Sequence, residues 1–363
     1  MSGDRSPEMR IALIGCGKIG RRRAEALRES KGGVLVLAVD RDLARAESVA
    51  TDWRCQASVD WGEAIRRDDI GAVIVSTTHD ALAGATRAAA EHGKHVLVEK
   101  PMARTPAEAA LVCRALRDAQ GNRRLAGDRR PLVVKVGFNH RFHPAISKAH
   151  TLLEAGSIGE PYFVRCRYGH GGRRGYADEW RFNVEIAGGG ELLDQGIHAI
   201  DLFRWFLGDF VEGVGFTHSY FWRASVGAAP RGADVEDNAF GLFRTTSGRV
   251  ATLHASWTQW KNLFAFEVFG RDGYLIVEGL GRSYGAERLT WGRRHPDWGS
   301  PDEEHFDFSD PESCWRAEWE EFLAAIREGR EPSGNASDAW QAIRMAYAVY
   351  ESSRNGGVVR LPQ

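Results

Sequence analysis

The segment Gly15-Cys16-Gly17-Lys18-Ile19-Gly20 constrains this chain more than any other feature. It directly follows an apolar run, Met9 to Ile14, and opens a helical pattern from Ile19 to about Ser30. A second apolar run, Val34 to Val39, ends on Asp40, about 20 residues past the last glycine. Strand, GxGxxG turn, helix and an acidic strand end, in that order, form the fingerprint of a dinucleotide-binding βαβ unit. Gly15 permits the tight turn, Gly17 lets the backbone approach a pyrophosphate, and Gly20 allows close helix–sheet packing. The helix start offers free N–H groups and a positive dipole end to the phosphates. Asp40 is placed to accept from both adenosine-ribose hydroxyls and its charge repels a 2′-phosphate, so NAD is expected over NADP. Arg41, beside it, is the residue type that receives such a phosphate, which keeps NADP as second choice.

The pattern continues with a helix over Leu43 to about Asp52, a strand over Ala72 to Val75 and a helix over Ala81 to Glu91. A strand follows over His95 to Val98, a helix over Pro106 to Ala119, and a strand over Leu132 to Gly137. Nearly continuous apolar strands alternating with helices predict a doubly wound parallel sheet covered on both faces. Gly121 to Pro131 reads as an Arg- and Gly-rich surface loop. Arg21, Arg22 and Arg23 read as a solvated helix face.

The second half predicts helices near Ala145 to Ala155 and Leu192 to Leu207. Strands are expected at Pro161 to Tyr168, Val211 to Arg223, Asn238 to Arg244, Val250 to Trp260, Phe264 to Gly270 and Gly273 to Glu278. Ala251, Leu253, Ala255 and Trp257 alternate with Thr252, His254, Ser256 and Thr258, a period of two that gives a sheet one core face and one polar face. Late helices are predicted over Trp315 to Glu328 and Ala336 to Ser353. The expected organisation is a doubly wound, dinucleotide-binding domain over 1–138 and an α+β domain over 139–363 with a mostly antiparallel sheet.

Composition closes off several function classes. Lys plus Arg is 48 and Asp plus Glu is 49, so no basic excess marks a nucleic-acid or anionic-membrane binder. No apolar run approaches the roughly 20 residues that cross a bilayer, and MSGDRSPEMR lacks the apolar core of a signal peptide. The five cysteines are odd in number and form no CxxC, so reduced thiols in a cytoplasmic protein are expected.

Two further constellations carry chemistry. Glu99-Lys100-Pro101 follows the strand His95 to Val98, and a Lys at the carboxyl end of a parallel strand lies where such sheets bind ligands. The second is Gly188-Gly189-Gly190-Glu191-Leu192-Leu193-Asp194-Gln195-Gly196-Ile197-His198. Asp194 and His198 are four apart, so on a helix they share a face. A carboxylate beside an imidazole orients it and raises its basicity, which suits a general base; a capped helix with a partly buried His fits the residues equally well. A metal reading is poorer, since two ligands are too few and a nearby Lys opposes a cation.

These motifs, with Glu91-His92-Gly93-Lys94-His95-Val96-Leu97-Val98 ahead of Glu99-Lys100-Pro101 and with Gly137-Phe138-Asn139-His140-Arg141-Phe142-His143-Pro144, resemble the Gfo/Idh/MocA family from about Arg10 to the last helices. The resemblance implies an N-terminal NAD-binding Rossmann domain, a C-terminal domain built on a large open, mostly antiparallel sheet, and a catalytic set of Lys100, Asp194 and His198. It implies cofactor contacts by Gly15, Gly17, Lys18, Ile19, Gly20, Asp40, Arg41, Ser76, Thr77, Thr78, His79, Glu99, Lys100, Pro101 and Asn139. Substrate contacts are expected from Lys100, Arg141, Tyr168, Trp180, Arg181, Asp194 and His198, and no metal is expected. The chain departs from the family at Ser76-Thr77-Thr78-His79, where a Thr-Pro-Asn-like turn is usual, and at Leu82, where a His is usual.

The implied activity is NAD-dependent oxidation of a secondary hydroxyl of a sugar or cyclitol. Trp180 and Tyr176 suit a pyranose face. Arg173 and Arg174 suit a phosphorylated or nucleotide sugar, and Asp178, Glu179 and Glu185 an amino sugar such as an aminoglycoside ring. The Arg-rich composition fits a GC-rich bacterium, in which specialised sugar and antibiotic biosynthesis is common. Redox-neutral NAD-dependent glycoside cleavage, ligand sensing and reduction of a keto sugar stand as alternatives. A homodimer or homotetramer is expected, with Phe216, Tyr220, Trp222, Trp257, Trp260, Phe264 and Phe266 as surplus aromatic area for a subunit interface on the open sheet.

Overall fold

The computed structural model describes residues 8–30, 32–128, 130–222, 235–310 and 312–362. The chain forms two compact units, one of residues 1–137 with 315–340, the other of residues 138–314 with 341–363.

The first unit contains strands β1 (Met9–Ile14), β2 (Gly33–Val39), β3 (Gln56–Ser58), β4 (Ala72–Val75), β5 (His95–Val98) and β6 (Val134–Val136). All neighbours are parallel, in the order β3-β2-β1-β4-β5-β6. That is the doubly wound fold read from the sequence, with the order reversing beside β1. The crossovers are α1 (Lys18–Glu29), α2 (Leu43–Trp53), α3 (Trp61–Arg66), α4 (His79–Glu91) and α5 (Pro106–Leu125). Asp42, Asp60 and Thr105 cap α2, α3 and α5 by accepting first-turn N–H groups. β1 and β4 are buried on both faces, as a sheet sandwiched between helices demands.

Helix α5 does not stop at Ala119, as expected, but runs on to Leu125. Its last turn carries Arg123 and Arg124, favourable at a helix C-terminus, and Arg123 is held by Asp128 at 2.5 Å. The connection expected from Gly121 therefore begins only after Leu125.

The second unit contains α6 (Pro144–Glu154), α7 (Val184–Ala187) and α8 (Ile197–Leu207), with β7 (Pro161–Gly169), β8 (Phe210–His218), β9 (Asn238–Thr245), β10 (Val250–Ser256), β11 (Leu263–Gly270), β12 (Gly273–Glu278), β13 (Glu287–Arg293), β14 (Asp302–Phe308) and β15 (Val359–Arg360). The sheet order is β14-β13-β12-β11-β7-β10-β9-β8-β15, and every pairing is antiparallel except β7 with β10. The alternation read in β10 holds as far as Ala255: Ala251, Leu253 and Ala255 are buried and Thr252 and His254 half-buried, whereas Ser256, expected on the polar face, is buried too.

Three strand expectations need correction. The strand from Val211 ends at His218, because Tyr220, Phe221 and Trp222 turn their backbone N–H groups onto the Asp237 carboxylate; Arg223 lies outside the described residues. The strand from Val250 ends at Ser256, where the Ser256 hydroxyl accepts from the Thr258 N–H. Strands β13 and β14 were not expected, since Asp302–Phe308 is mostly charged and carries no core face.

The division after residue 138 is also incomplete. Helix α9 (Ser313–Glu328) and the start of α10 (Ala336–Asn355) supply Trp315–Trp340 to the first unit. Trp319, Phe322 and Leu323 pack there with Ile11, Leu13 and Leu27 in one core cluster. Among the expected interface aromatics, Trp257, Phe264 and Phe266 are core residues, whereas Phe216 is 71% exposed and Tyr220 and Trp260 are also exposed. Among the described residues no helix is long and apolar enough to cross a membrane, and the five cysteines are free thiols.

Candidate active site

In the first unit the glycine turn is shaped by direct contact. Gly15 has φ +98°, and a Cβ there would lie 2.5 Å from the Ser76 carbonyl oxygen. A Cβ on Gly20 would lie 1.9 Å from the Gly15 carbonyl oxygen, so α1 can pack this closely only without a side chain. Nothing crowds Gly17, which leaves its backbone open. The Ser76 hydroxyl donates to Gly15 O at 2.8 Å and ties the end of β4 to the turn. Asp40 accepts from the Cys16 N–H at 2.8 Å and from the Asp42 N–H at 3.0 Å. Burial, with Asp40 nearby, pushes the Cys16 thiol up to about 12, so it is an inert spacer. Cys16, Gly17, Lys18, Arg21, Ala44, Arg45 and Ser48 line an open cavity of about 490 Å³.

At the end of β4, Thr77 donates to the Thr78 carbonyl and the Thr78 hydroxyl to Asp80 at 2.6 Å. His79 is buried in the first turn of α4, and Leu82 is buried in the core. Lys100 stands half-buried after β5, and the Lys100–Pro101 bond is cis.

Glu99, before it, is anchored by an unexpected partner. Arg23 is 1% exposed, not solvated; it donates to Glu99 at 2.7 Å and to Glu318 of α9. Its guanidinium lies 4.5 Å from the Trp315 ring. A buried Arg must be matched by carboxylates, and here one comes from the residue beside Lys100 and the other from 295 positions along the chain. Of the other two arginines, Arg21 pairs with Asp52 at 2.9 Å and Arg22 stacks on Trp315.

In the second unit the glycine run and the helix after it are organised by Glu236. Its carboxylate accepts from the N–H groups of Gly190 (2.9 Å) and Leu192 (3.0 Å), and its backbone oxygen from that of Glu191. The Tyr350 hydroxyl donates to it at 2.8 Å. Burial pushes the Glu236 carboxyl up, against the hydrogen bonds that favour its charge. A Cβ on Gly190 would lie 1.9 Å from the Glu236 carbonyl oxygen, so this close approach needs glycine. Held this way, Leu192–Gly196 forms a π-helical turn that runs into α8 instead of a plain α-helix. Such turns recur at functional sites.

Asp194 lies on that turn and His198 in the first turn of α8; they are 7% and 5% exposed. Asp194 accepts from Arg181 Nε at 2.9 Å. The His198 ring stacks on His140 with centroids 3.9 Å apart, and Phe138 meets it edge-on. Tyr168 is buried 5.2 Å from the His140 ring and 5.6 Å from that of Tyr284. Burial pushes His170 down to about 4, only partly offset by Asp194, so it is neutral at pH 7.

Arg141 and Asn139 face inward. Arg141 donates twice to buried Asp201, at 2.5 and 2.7 Å, and lies against Trp205, so it braces α8. Asn139 accepts from His140 Nδ1 at 3.2 Å and donates to the Cys314 sulfur. Trp180 carries the Arg181 guanidinium 4.7 Å from its ring centroid.

Residues 9–124 match the oxidoreductase family with an NAD-binding Rossmann fold, and residues 146–276 match the GFO/IDH/MocA C-terminal domain. The chain belongs to the Gfo/Idh/MocA family. The levoglucosan dehydrogenase of Pseudarthrobacter phenanthrenivorans is 27% identical over 342 residues, covering 84% of this chain and 83% of that protein. Inositol 2-dehydrogenase 4 of Saccharopolyspora erythraea is 30% identical over 251 residues, covering 68% and 66%. A solved oxidoreductase domain protein from Kribbella flavida superposes with a TM-score of 0.85 at 25% identity, covering 99% of this chain and 100% of that one.

This Gfo/Idh/MocA oxidoreductase thus carries its nucleotide fingerprint on β1, α1, β2 and β4, and those residues fit a dinucleotide. The Gly17 backbone stands open at the start of α1, and each Asp40 oxygen accepts one N–H and retains capacity for a ribose hydroxyl. Sequence reasoning missed Arg23, Glu318 and Glu236. The Arg23–Glu318 and Glu236–Gly190 contacts span 295 and 46 positions, and no local pattern announces them.

Proposed function

We propose that this oxidoreductase is an NAD-dependent dehydrogenase that oxidises a secondary hydroxyl of an uncharged sugar or cyclitol to the ketone. The observation that carries the reading is the buried imidazole of His198, one turn from the buried carboxylate of Asp194 on a glycine-led helix. Bound NAD would supply the hydride acceptor. His198 takes the hydroxyl proton, Asp194 stabilises the imidazolium that forms, and Lys100 stabilises the developing alkoxide charge. Gly15, Gly17, Gly20 and Asp40 hold the dinucleotide, and the Asp40 charge selects NAD over NADP.

This reading favours an uncharged substrate because Arg173, Glu179 and Arg181 of the loop after β7 are already paired. Arg173 is paired with Glu179, and Arg181 with Glu179 and Asp194, so neither is left over for a phosphate, nor Glu179 for an amine. The exposed sheet face around Phe216, Phe240 and Leu242 forms the interface between copies of the chain. Its free thiols suit the cytoplasm.

The test mixes the protein with NAD and neutral sugars, anhydrosugars, cyclitols, phosphorylated sugars and aminoglycosides, following NADH absorbance and product mass together. NADH formation with a neutral-substrate product two hydrogens lighter supports the reading. Glycoside cleavage without net NADH replaces it with redox-neutral hydrolysis. Lys100→Ala and His198→Asn should each lower turnover about 10²–10⁴-fold while NAD still binds; full turnover in either removes that residue from the mechanism.

A further inference from the structure

We propose that Arg181 is a positioning residue for the Asp194–His198 pair: it fixes the Asp194 carboxylate and balances its charge, and so sets how far that carboxylate raises the basicity of His198. The inference rests on the reading of His198 as the general base.

The geometry is that of a clamp. Arg181 Nε donates to Asp194 Oδ2 at 2.9 Å, and Nη1 lies 3.1 Å from Glu179 Oε2. The guanidinium plane is backed by the Trp180 ring. The other Glu179 oxygen takes Arg173, whose guanidinium lies 5.0 Å from the buried Tyr176 ring, itself packed on Trp257. Asp194, Arg181, Glu179 and Arg173 thus form an alternating ion chain that anchors the loop after β7 to the π-helical turn. A planar fork held at its donors and on one face keeps its pose at little entropic cost, which a lysine cannot match.

A cation paired with a carboxylate weakens the field that the carboxylate exerts on a neighbouring imidazole. The other titratable groups around the pair are His140, stacked on His198, and His170, Tyr168, Tyr176, Tyr284, Glu191 and Glu236. His170 stays neutral at pH 7, and burial pushes the three tyrosines up, so they remain protonated.

Oxidation needs neutral His198. Removing the Arg181 charge stabilises the imidazolium, so the acid limb of kcat/KM moves to higher pH. The experiment compares pH profiles of wild type, Arg181→Gln, Arg181→Lys and Arg173→Gln with the best substrate of the panel. Arg181→Gln should move the limb up by about one pH unit. Arg181→Lys should leave the limb in place while kcat falls. Arg173→Gln, which leaves the Asp194 contact intact, should leave it in place too. An unmoved limb in Arg181→Gln overturns the proposal even if activity drops, because loss of packing or of a substrate contact lowers activity without a limb shift. An equal shift in Arg173→Gln overturns it as well. A fully active His198→Asn enzyme sinks the underlying reading, whereas a dead one beside an unmoved Arg181→Gln limb sinks only this inference.

Discussion

Glu287→Gln is the perturbation whose effect on stability can be worked most fully from the structure. His143 Nδ1 donates to Glu287 Oε2 at 2.9 Å, and the other Glu287 oxygen accepts from the Ala145 N–H at 2.7 Å, capping α6. Burial alone would lower the His143 pKa, but its hydrogen bonds to Cys314 and Glu287 outweigh burial and raise it to about 9. The rise from 6.5 to about 9, at ~1.36 kcal/mol per pH unit, is worth about 3 kcal/mol. A raised histidine contributes fully below its unfolded value of 6.5, and the contribution is lost as pH rises through about 9. Cys314 supplies part of the hold, so Glu287→Gln should cost about 2 kcal/mol at pH 6.5. The amide oxygen still caps Ala145, so only the charged part disappears. By pH 10 His143 is neutral in both proteins, and the difference should shrink below about 1 kcal/mol. Urea denaturation followed by tryptophan fluorescence at pH 6.5, 8 and 10 reads the difference directly. An equal gap at pH 6.5 and pH 10 refutes the reasoning, since it would leave the ionisation of His143 out of the stability of this unit.

Other outcomes follow from the same structure. Gly20→Ala should abolish NAD binding and lower the melting temperature of the first unit, because its Cβ would meet the Gly15 carbonyl oxygen at 1.9 Å; calorimetric titration with NAD checks it. Arg23→Met strips Glu99 and Glu318 of their shared buried arginine and should cost about 3–5 kcal/mol, with Glu318→Gln in the same chain recovering part of it in thermal melts. Asp40→Ala should narrow the kcat/KM preference for NAD over NADP at least tenfold, since the repelling charge is gone; an unchanged ratio would move cofactor choice elsewhere.

The first unit was largely legible in the sequence because its signals are local. The apolar runs at Met9, Val34, Ala72 and His95 coincide with β1, β2, β4 and β5, and the glycine turn lies where backbone contact forces it. Short β3 and α3 escaped because Gln56–Ser58 and Trp61–Arg66 are too brief to show a period. In the second unit β10 announced itself by alternation and the other core strands by their β-rich stretches, but the charged edge strand β14 did not. The site divided the same way. Asp194 and His198 could be found by their spacing, yet the π-helical turn under them could not, because it is made by Glu236, 42 positions beyond Asp194. Arg23 reads as solvated beside Arg21 and Arg22, but its carboxylates come from distant segments and decide its burial.

The placement of Trp315–Trp340 bears on the order in which this protein can be made. A ribosome delivers the glycine turn and all six parallel strands first, yet Trp319, Phe322 and the Glu318 partner of Arg23 come about 180 residues after Gly137. At ~5–20 residues per second the nascent Rossmann sheet waits roughly 10–40 s with a hydrophobic face uncovered and an arginine half-matched. The unit synthesised first is therefore the one completed late, and a fragment ending at Gly137 should behave as an aggregation-prone intermediate, not as a miniature nucleotide-binding domain.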